Sequence, residues 1–237
     1  MPRKPDTAPR SLREPSETVK PRPPREPLTR ERIVRTALRL MDDEGLEAVT
    51  MRRVGRELGV EAMSLYNHVG DKEDILDGVT ELVMGEYEFP EPAEDWERTI
   101  REAARAWRRV LTAHPRVVTL LTERKHPLAS IGALRPMDFA LDVLRNIGLS
   151  KKDTVRAFRA FGSYIMGFAL MEVGNVVAGP HEGGEQPSVE ELRRTLPADL
   201  LPRMTELVQY LANCDMDEEF EFGIELLIAG LRAKLGR

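Results

Sequence analysis

The chain of 237 residues holds one cysteine, Cys214. An internal disulfide is therefore excluded, and the usage suits a reducing compartment; without a basic neighbour in sequence the thiol lacks what would activate it. No apolar run approaches the ~18 to 20 residues of a membrane span. The best candidate, Ile224 to Leu231, is short and interrupted by Glu225, so a cytoplasmic protein without a membrane partner is expected. Catalytic signatures are missing too. His68, His114, His126 and His181 show no HExxH or paired-ligand spacing, and CxxC, P-loop and GxSxG motifs are absent. His114 and His126 each precede a proline and read as surface or capping groups. The acidic runs 42–44 and 215–219 read as solvated helix ends, the second favourable at a helix start. No enzymatic activity, metal or cofactor is expected.

What is present is a divided charge. Up to Lys72 the chain carries 15 basic and 12 acidic side chains, and after it 20 and 28, within an overall net charge of −5. Positive charge thus gathers at the front, and overall acidity does not exclude DNA binding. Residues 1–27 are rich in Pro, Arg, Glu, Ser and Thr and too poor in large apolar side chains to fold alone, which predicts a disordered arm. It has no apolar h-region of a secretory signal. Either it is an inert solubilising tail, or its cations graze phosphates and add salt-dependent affinity.

From Thr50 to Lys72 two short helical patterns meet at Gly59-Val60, the outline of a helix-turn-helix. Val54 and Leu58 stand on one face, as do Leu65 and Val69, so each helix has an apolar stripe to bury against the other. Gly55, costly inside a helix, suggests a second helix crossing close by. The remaining faces carry Arg52, Arg53 and Arg56 on one helix and Met63, Ser64, Tyr66, Asn67 and His68 on the other, groups that meet phosphates and base edges. With Thr50, Ala62 and Lys72 at helix starts, these are the candidate DNA contacts. Upstream, Leu28-Thr29 predicts a staple and cap for a helix whose stripe is Ile33, Val34, Ala37, Leu38 and Met41, stopped at Gly45. Downstream, Asp71 with Asp74 predicts a capping box for a helix buried through Ile75, Val79, Leu82 and Val83.

The rest is helical by periodicity, with no strand-like alternation. Helices are predicted over Trp96 to Ala113, a short element to about Glu123, then about Arg135 to Asn146. The longest is capped by Ser150 and Asp153 and runs to about Val177. A loop spans 179–188, a weaker stretch with Pro197 and Pro202 follows to Asn213, and a last helix runs from about Asp217 to Leu235. The two long late helices are apolar on more than one face, which demands burial twice over. Trp107, Leu111, Met137, Leu141, Phe161, Tyr164, Phe168, Met171 and Asn175 supply adaptable apolar surface with a few polar handles. Taken singly, each reads first as core packing and second as a cavity lining.

The stretch LTRERIVRTALRLMDDEGLEAVTMRRVGRELGVEAMSLYNHVGDKEDIL, above all its end GVEAMSLYNHVGDKEDIL, resembles the DNA-binding region of TetR-type transcriptional regulators, and FEFGIELLIAGL resembles the end of the tetracycline-repressor branch. The resemblance implies an all-α homodimer: a three-helix DNA-binding head over 28–74 and a larger ligand-binding and dimerisation body over 75–237. It implies that Tyr66, His68 and Lys72 hold phosphates, that Arg52, Met63, Ser64 and Asn67 face the groove, and that the two late helices pair with their symmetry mates, with Gly162, Gly167, Gly223 and Gly230 allowing close approach. The tetracycline-specific branch holds a metal-drug chelate with a histidine and carboxylates. The corresponding stretches, Val117 to Leu121 and Leu170 to Gly174, lack that histidine and offer only Glu172, so tetracycline recognition is not expected. The function implied is a repressor released from a palindromic operator by a small-molecule inducer. A nonspecific architectural DNA-binding protein, or an enzyme whose site is assembled from distant residues, remains the alternative.

Overall fold

The computed structural model describes residues 27–91, 93–123, 131–178, 189–212 and 215–236. The expectations for the arm up to residue 26, for the 179–188 segment and for His126, His181, Cys214 and the Asn175 side chain lie outside the described residues. The fold is all-α, with no strand among the described residues.

The first helix, α1 (Arg30–Glu44), begins at Thr29, whose hydroxyl accepts from the Arg32 N–H at 3.2 Å, while Leu28 packs against the core beneath it. Its stripe of Ile33, Val34, Ala37, Leu38 and Met41 is buried. Gly45 ends it at φ 97°, an angle that side-chain-bearing residues avoid. A 3₁₀ turn (Leu46–Ala48) leads to α2 (Met51–Leu58), capped by the Thr50 hydroxyl and stopped by left-handed Gly59. The next helix, α3 (Ala62–Leu65), is one turn, prolonged by bonds from the His68 and Val69 N–H groups to the Leu65 carbonyl. Val54, Leu65 and Val69 are buried between them. Gly55 has the reason its position suggested: a β-carbon there would stand 3.1 to 3.3 Å from backbone atoms of Val60 and Ala62.

At α4 (Lys72–Gly85) the Asp71 carboxylate accepts from the Asp74 N–H at 2.9 Å. Asp74 answers one residue earlier than in a standard capping box, accepting from the Gly70 N–H at 2.9 Å. Arg30 of α1 also grips Asp74 at 2.8 Å, and this pairing first, then the Gly70 N–H, holds the carboxyl below its ordinary pKa. Further along, α1 and α4 approach so closely that a β-carbon on Gly78 would lie 2.5 Å from Val34 Cγ2.

The body consists of α5 (Trp96–Ala113), α6 (Pro115–Glu123), α7 (Ile131–Asn146), α8 (Lys151–Ala178), α9 (Val189–Thr195), α10 (Pro202–Ala212) and α11 (Met216–Leu235). Two elements depart from the sequence reading. α7 starts a turn earlier than expected and contains Pro136; so near the helix start, the missing N–H removes one internal bond without breaking the helix. The weak late stretch is two helices, parted between Pro197 and Pro202, the latter in the first turn where its missing donor costs nothing.

α5 packs on α8 and α11, α7 on α8 and α4, and α6 on α8 and α1. One core joins α1 to α4 with Ala106, Val110, Val117 and Leu120; a second joins α5, α7, α8 and α11 around Phe161, Ile165, Phe220, Ile224 and Ile228. The boundary drawn at residues 74 and 75 falls within the first turn of α4, a helix that serves both parts. Ion pairs join α5 to α11: Arg101 and Arg105 of α5 meet Glu225 and Glu221 of α11, and Glu97 of α5 meets Arg232 of α11. The pairing with Arg232, then with Arg101, holds the Glu97 carboxyl at about 2.

Both late helices bury one face and leave another open. On α11, Phe220, Ile224, Ile228 and Leu231 are buried while Phe222 and Leu226 are exposed; on α8, Ile165, Ala169 and Val173 are buried while Leu170 and Met171 are exposed. No atom of this chain would meet a β-carbon at Gly167 or Gly230, whereas the open space at Gly162 belongs to the cavity described below. Gly223 differs. The Tyr164 ring of the same chain lies on it, its hydroxyl donating towards the Phe220 and Glu219 carbonyls at 3.0 and 3.1 Å.

In an open helix, Gly→Ala adds about 1 kcal/mol of stability. Gly55→Ala is expected to lose about 1 to 2 kcal/mol instead, because the neighbours are backbone and cannot rotate away. Thermal unfolding checks this, and a raised melting temperature would contradict the crossing.

Candidate functional site

α2 and α3 present one continuous outer face. Arg52, Tyr66, Asn67, His68 and Thr50 are exposed, Met63 is 72% exposed, and Ala62, Ser64 and Lys72 are half-buried around them. These are the cations and the amide, hydroxyl and thioether groups the sequence predicts for a helix-turn-helix. Lys72 opens α4 beside it. Arg56 is exposed as well and continues the cationic side of α2.

Arg53 departs from this pattern. Its guanidinium is held by Glu57 at 2.7 Å and by Glu44, its side chain is 20% exposed, and Glu57 is also gripped by Arg39 at 2.6 Å. The pairing with Glu44, then with Glu57, raises the Arg53 pKa, and Arg53 in turn lowers both carboxyls. Its charge is already neutralised within the head. A side chain counted by sequence among the DNA contacts thus fastens α2 to the end of α1. Spacing alone shows Glu57 at i+4 but cannot show Glu44.

The body holds a partly open cavity of about 410 Å³. Met84 at the end of α4 and Tyr87 just beyond it form one wall. Ile100, Ala104 and Trp107 of α5, Leu121 of α6, Pro136, Met137 and Leu144 of α7, and Phe158, Phe161, Ile165 and Met166 of α8 form the others. Among the described residues no charged side chain lines it; the polar groups are the Tyr87 and Ser163 hydroxyls and the Trp107 indole N–H. Burial pushes the Tyr87 phenol up to about 12, so it is neutral, donating weakly to the Ala103 carbonyl at 3.4 Å.

Of the nine lining residues proposed from sequence, the structure brings Trp107, Met137 and Phe161 onto this cavity. Leu111 is closed in the core, Leu141 is half-buried away from the wall, and Met171 is 78% exposed. Tyr164 and Phe168 instead cluster with Phe220, ring centroids 5.2 to 5.8 Å apart, with the Arg108 guanidinium 5.3 Å from the Phe168 ring centroid and 4.8 Å from that of Phe220. The reason is helical phase. Phe158, Phe161, Ile165 and Met166 repeat at the spacing of one face of α8, whereas Tyr164, Phe168 and Met171 stand on another. That spacing could have separated the two sets; nothing local marks Met84 or Tyr87. Glu172, the one acid in the stretch aligned with the chelate site, accepts from Arg108 Nε and Nη2 at 2.8 Å each, while Nη1 donates to Asp217 at 2.7 Å.

Residues 33–79 match the profile of bacterial regulatory proteins of the tetR family, and residues 89–235 match that of the tetracyclin repressor-like C-terminal domain. A helix-turn-helix transcriptional regulator of Saccharopolyspora erythraea is 31% identical over 88% of this chain and 86% of its own. The transcriptional repressor DrrR1 of Streptomyces coeruleorubidus is 30% identical over 89% of this chain and 79% of its own. The crystal structure of Streptomyces coelicolor ActR in complex with actinorhodin superposes with a TM-score of 0.74 at 31% identity, covering 90% of this chain and 100% of that one.

The two arginines of α2 are expected to fail in different ways. Arg52→Ala loses about 1 to 3 kcal/mol of sequence discrimination without shifting thermal unfolding. Arg53→Ala lowers the melting temperature and leaves the salt dependence of DNA binding unchanged, because no phosphate contact is lost. A salt slope reduced by about one in Arg53→Ala would return that residue to the phosphate contacts.

Proposed function

The chain belongs to the TetR family of bacterial regulatory proteins, and from that premise we propose that it represses transcription from a palindromic operator until a small, largely apolar molecule enters its cavity. It is a ligand-responsive DNA-binding regulator that acts as a homodimer, and not an enzyme. Two reading heads related by a two-fold axis contact half-sites about one helical turn apart, so a short head gains specificity by doubling. The second faces of α8 and α11, with Phe222 and Leu226 outermost, form the dimer seam. The protein works in the cytoplasm, where the operator is.

The observation that carries the ligand reading is the cavity and its neutral, aromatic and methionine-rich wall. Such a wall offers area and polarisability with few fixed hydrogen bonds, so it selects by shape, accepts analogues and disfavours a carboxylate or ammonium, which would lose its hydration without a partner. ActR, similar over nearly the whole chain, is seen with actinorhodin bound, which supports a small-molecule ligand here. Arg108 neutralises Glu172 and removes a carboxylate that a metal-bridged ligand would need. Release follows as a shift of population: the inducer favours a head spacing unfit for both half-sites, by at least the specific-binding surplus that it cancels.

Operator release titrated with ligand extracted from the native host tests this reading. Trp107→Ala or Met137→Ala is expected to raise the half-effective ligand concentration about ten-fold or more, at unchanged affinity for operator in its absence. Leu141→Ala, away from the cavity wall, leaves the response intact, and a chelator has no effect. A chelator that abolished release would establish a metal-bridged site; a response insensitive to Trp107 and Met137 would move the ligand elsewhere.

A further inference from the structure

α1 ends badly by the ordinary rules of helix electrostatics. Its last turn carries Asp42, Asp43 and Glu44 and no basic side chain, so negative charge stands where the helix already presents bare carbonyls and the negative end of its dipole. α4 ends in the same way, with Glu86 as its C-cap and no cation in its last turn. The compensating charges come from elsewhere. Arg53 of α2 holds Glu44, Arg116 of α6 donates to the Met41 carbonyl at 3.3 Å, and His114, the residue that closes α5, reaches both remaining ends at once. Its Nδ1 lies 2.9 Å from Asp42 Oδ2 and its Nε2 lies 2.9 Å from Glu86 Oε2.

This geometry specifies a protonation state. A neutral imidazole carries one N–H, so one of two carboxylates at hydrogen-bond distance would face a lone pair; only the imidazolium donates to both. The His114 side chain is 14% exposed and that of Asp42 27%. The other Asp42 oxygen, Oδ1, is buried and finds no hydrogen-bond partner among the described residues. Without the proton, that carboxylate would keep its charge with little water to screen it. The remaining charged groups around the junction are Arg116, directed at the α1 carbonyl, and Arg109 of α5 paired with Glu88 just beyond α4 at 3.1 Å. In agreement, the hydrogen bond to Asp42, with a further contribution from Glu86, raises the His114 pKa against the opposing effect of burial.

We propose that His114 is a charged latch: as the imidazolium it ties the ends of α1 and α4 to the α5–α6 turn, and operator affinity is therefore linked to a proton on its ring. The proposal rests on the DNA-binding reading above and adds a regulation to it. The latch joins the head to the two helices that flank the cavity, since Trp107 of α5 and Leu121 of α6 line it, and ligand entering between them acts on the turn that carries His114. The sign follows from the raised pKa: the latch is fully formed below the ordinary histidine value and is lost as pH rises through the folded-state value. Head and body part more easily in mild alkali, and operator affinity falls.

The test measures affinity for a duplex selected from random DNA by the protein itself, from about pH 6 to about pH 8.5, for the native dimer and for His114→Gln. His68 lies on the DNA face in both proteins, so its effect is common to the two. The native protein is expected to lose about ten-fold more affinity over this range than the variant. Equal slopes would overturn the latch. Asp42→Asn, which keeps the side-chain volume, serves as the second variant should His114→Gln not fold, and is expected to flatten the profile likewise. Histidine ring resonances titrated in the free native protein separate this claim from the functional reading. A His114 pKa above the ordinary value, lowered by Asp42→Asn, supports the latch even if no duplex binds; one at or below the ordinary value refutes it.

Discussion

Everything that the molecule can transmit depends on how closely α1 crosses α4. At Gly78 there is no room for a β-carbon beside Val34, and Arg30 locks the start of the same crossing onto Asp74. The head is thereby fastened to one helix and moves with it. That helix spans about 20 Å, beginning with Lys72 beside the face of α2 and α3 and ending with Met84 on the cavity wall. A side chain at Gly78 would separate the helices and loosen the head, so the absence of a single β-carbon sets the stiffness of the link between the two sites.

The body has to hold that link against a firm support, and two kinds of interaction compete for the credit. The ladder from Arg101, Arg105 and Arg108 of α5 to acids of α8 and α11 is extensive, yet partly exposed pairs contribute only about 0 to 1 kcal/mol each. Phe220, Ile224 and Ile228 are fully buried, and each such side chain contributes about 1.5 to 3 kcal/mol. Burial therefore holds α11 in place, and the ladder sets its register, because a planar guanidinium accepts a carboxylate in few orientations. Arg108 belongs to both, pairing with Glu172 while covering the rings of Phe168 and Phe220.

Local chemistry made the head legible from sequence: caps at Thr29, Thr50 and Asp71, stops at Gly45 and Gly59, and a stripe of alternating turns each act within a few residues. The bounds of α5 followed equally from Asp95 and from Pro115 after His114. What sequence hid was long-range. Arg53 read as a DNA contact because Glu44 lies nine residues away on another helix. Tyr164, Phe168 and Met171 read as cavity lining because a helix apolar on two faces does not say which face meets which neighbour, and only packing against Phe220 distinguishes them. Tyr87 and Met84 had no local mark, since their role comes from α7 and α8 closing over them.

If one rigid connection joins cavity and reading face, the two ligands must oppose each other by one shared free energy, whichever is bound first. The most direct test is to measure ligand affinity twice, for the free dimer and for the dimer saturated with operator, beside operator affinity with and without saturating ligand. The account predicts that operator weakens ligand binding by the same factor by which ligand weakens operator binding, at least about ten-fold in each direction. Ligand affinity unchanged by operator, in a protein that still binds both, would contradict it.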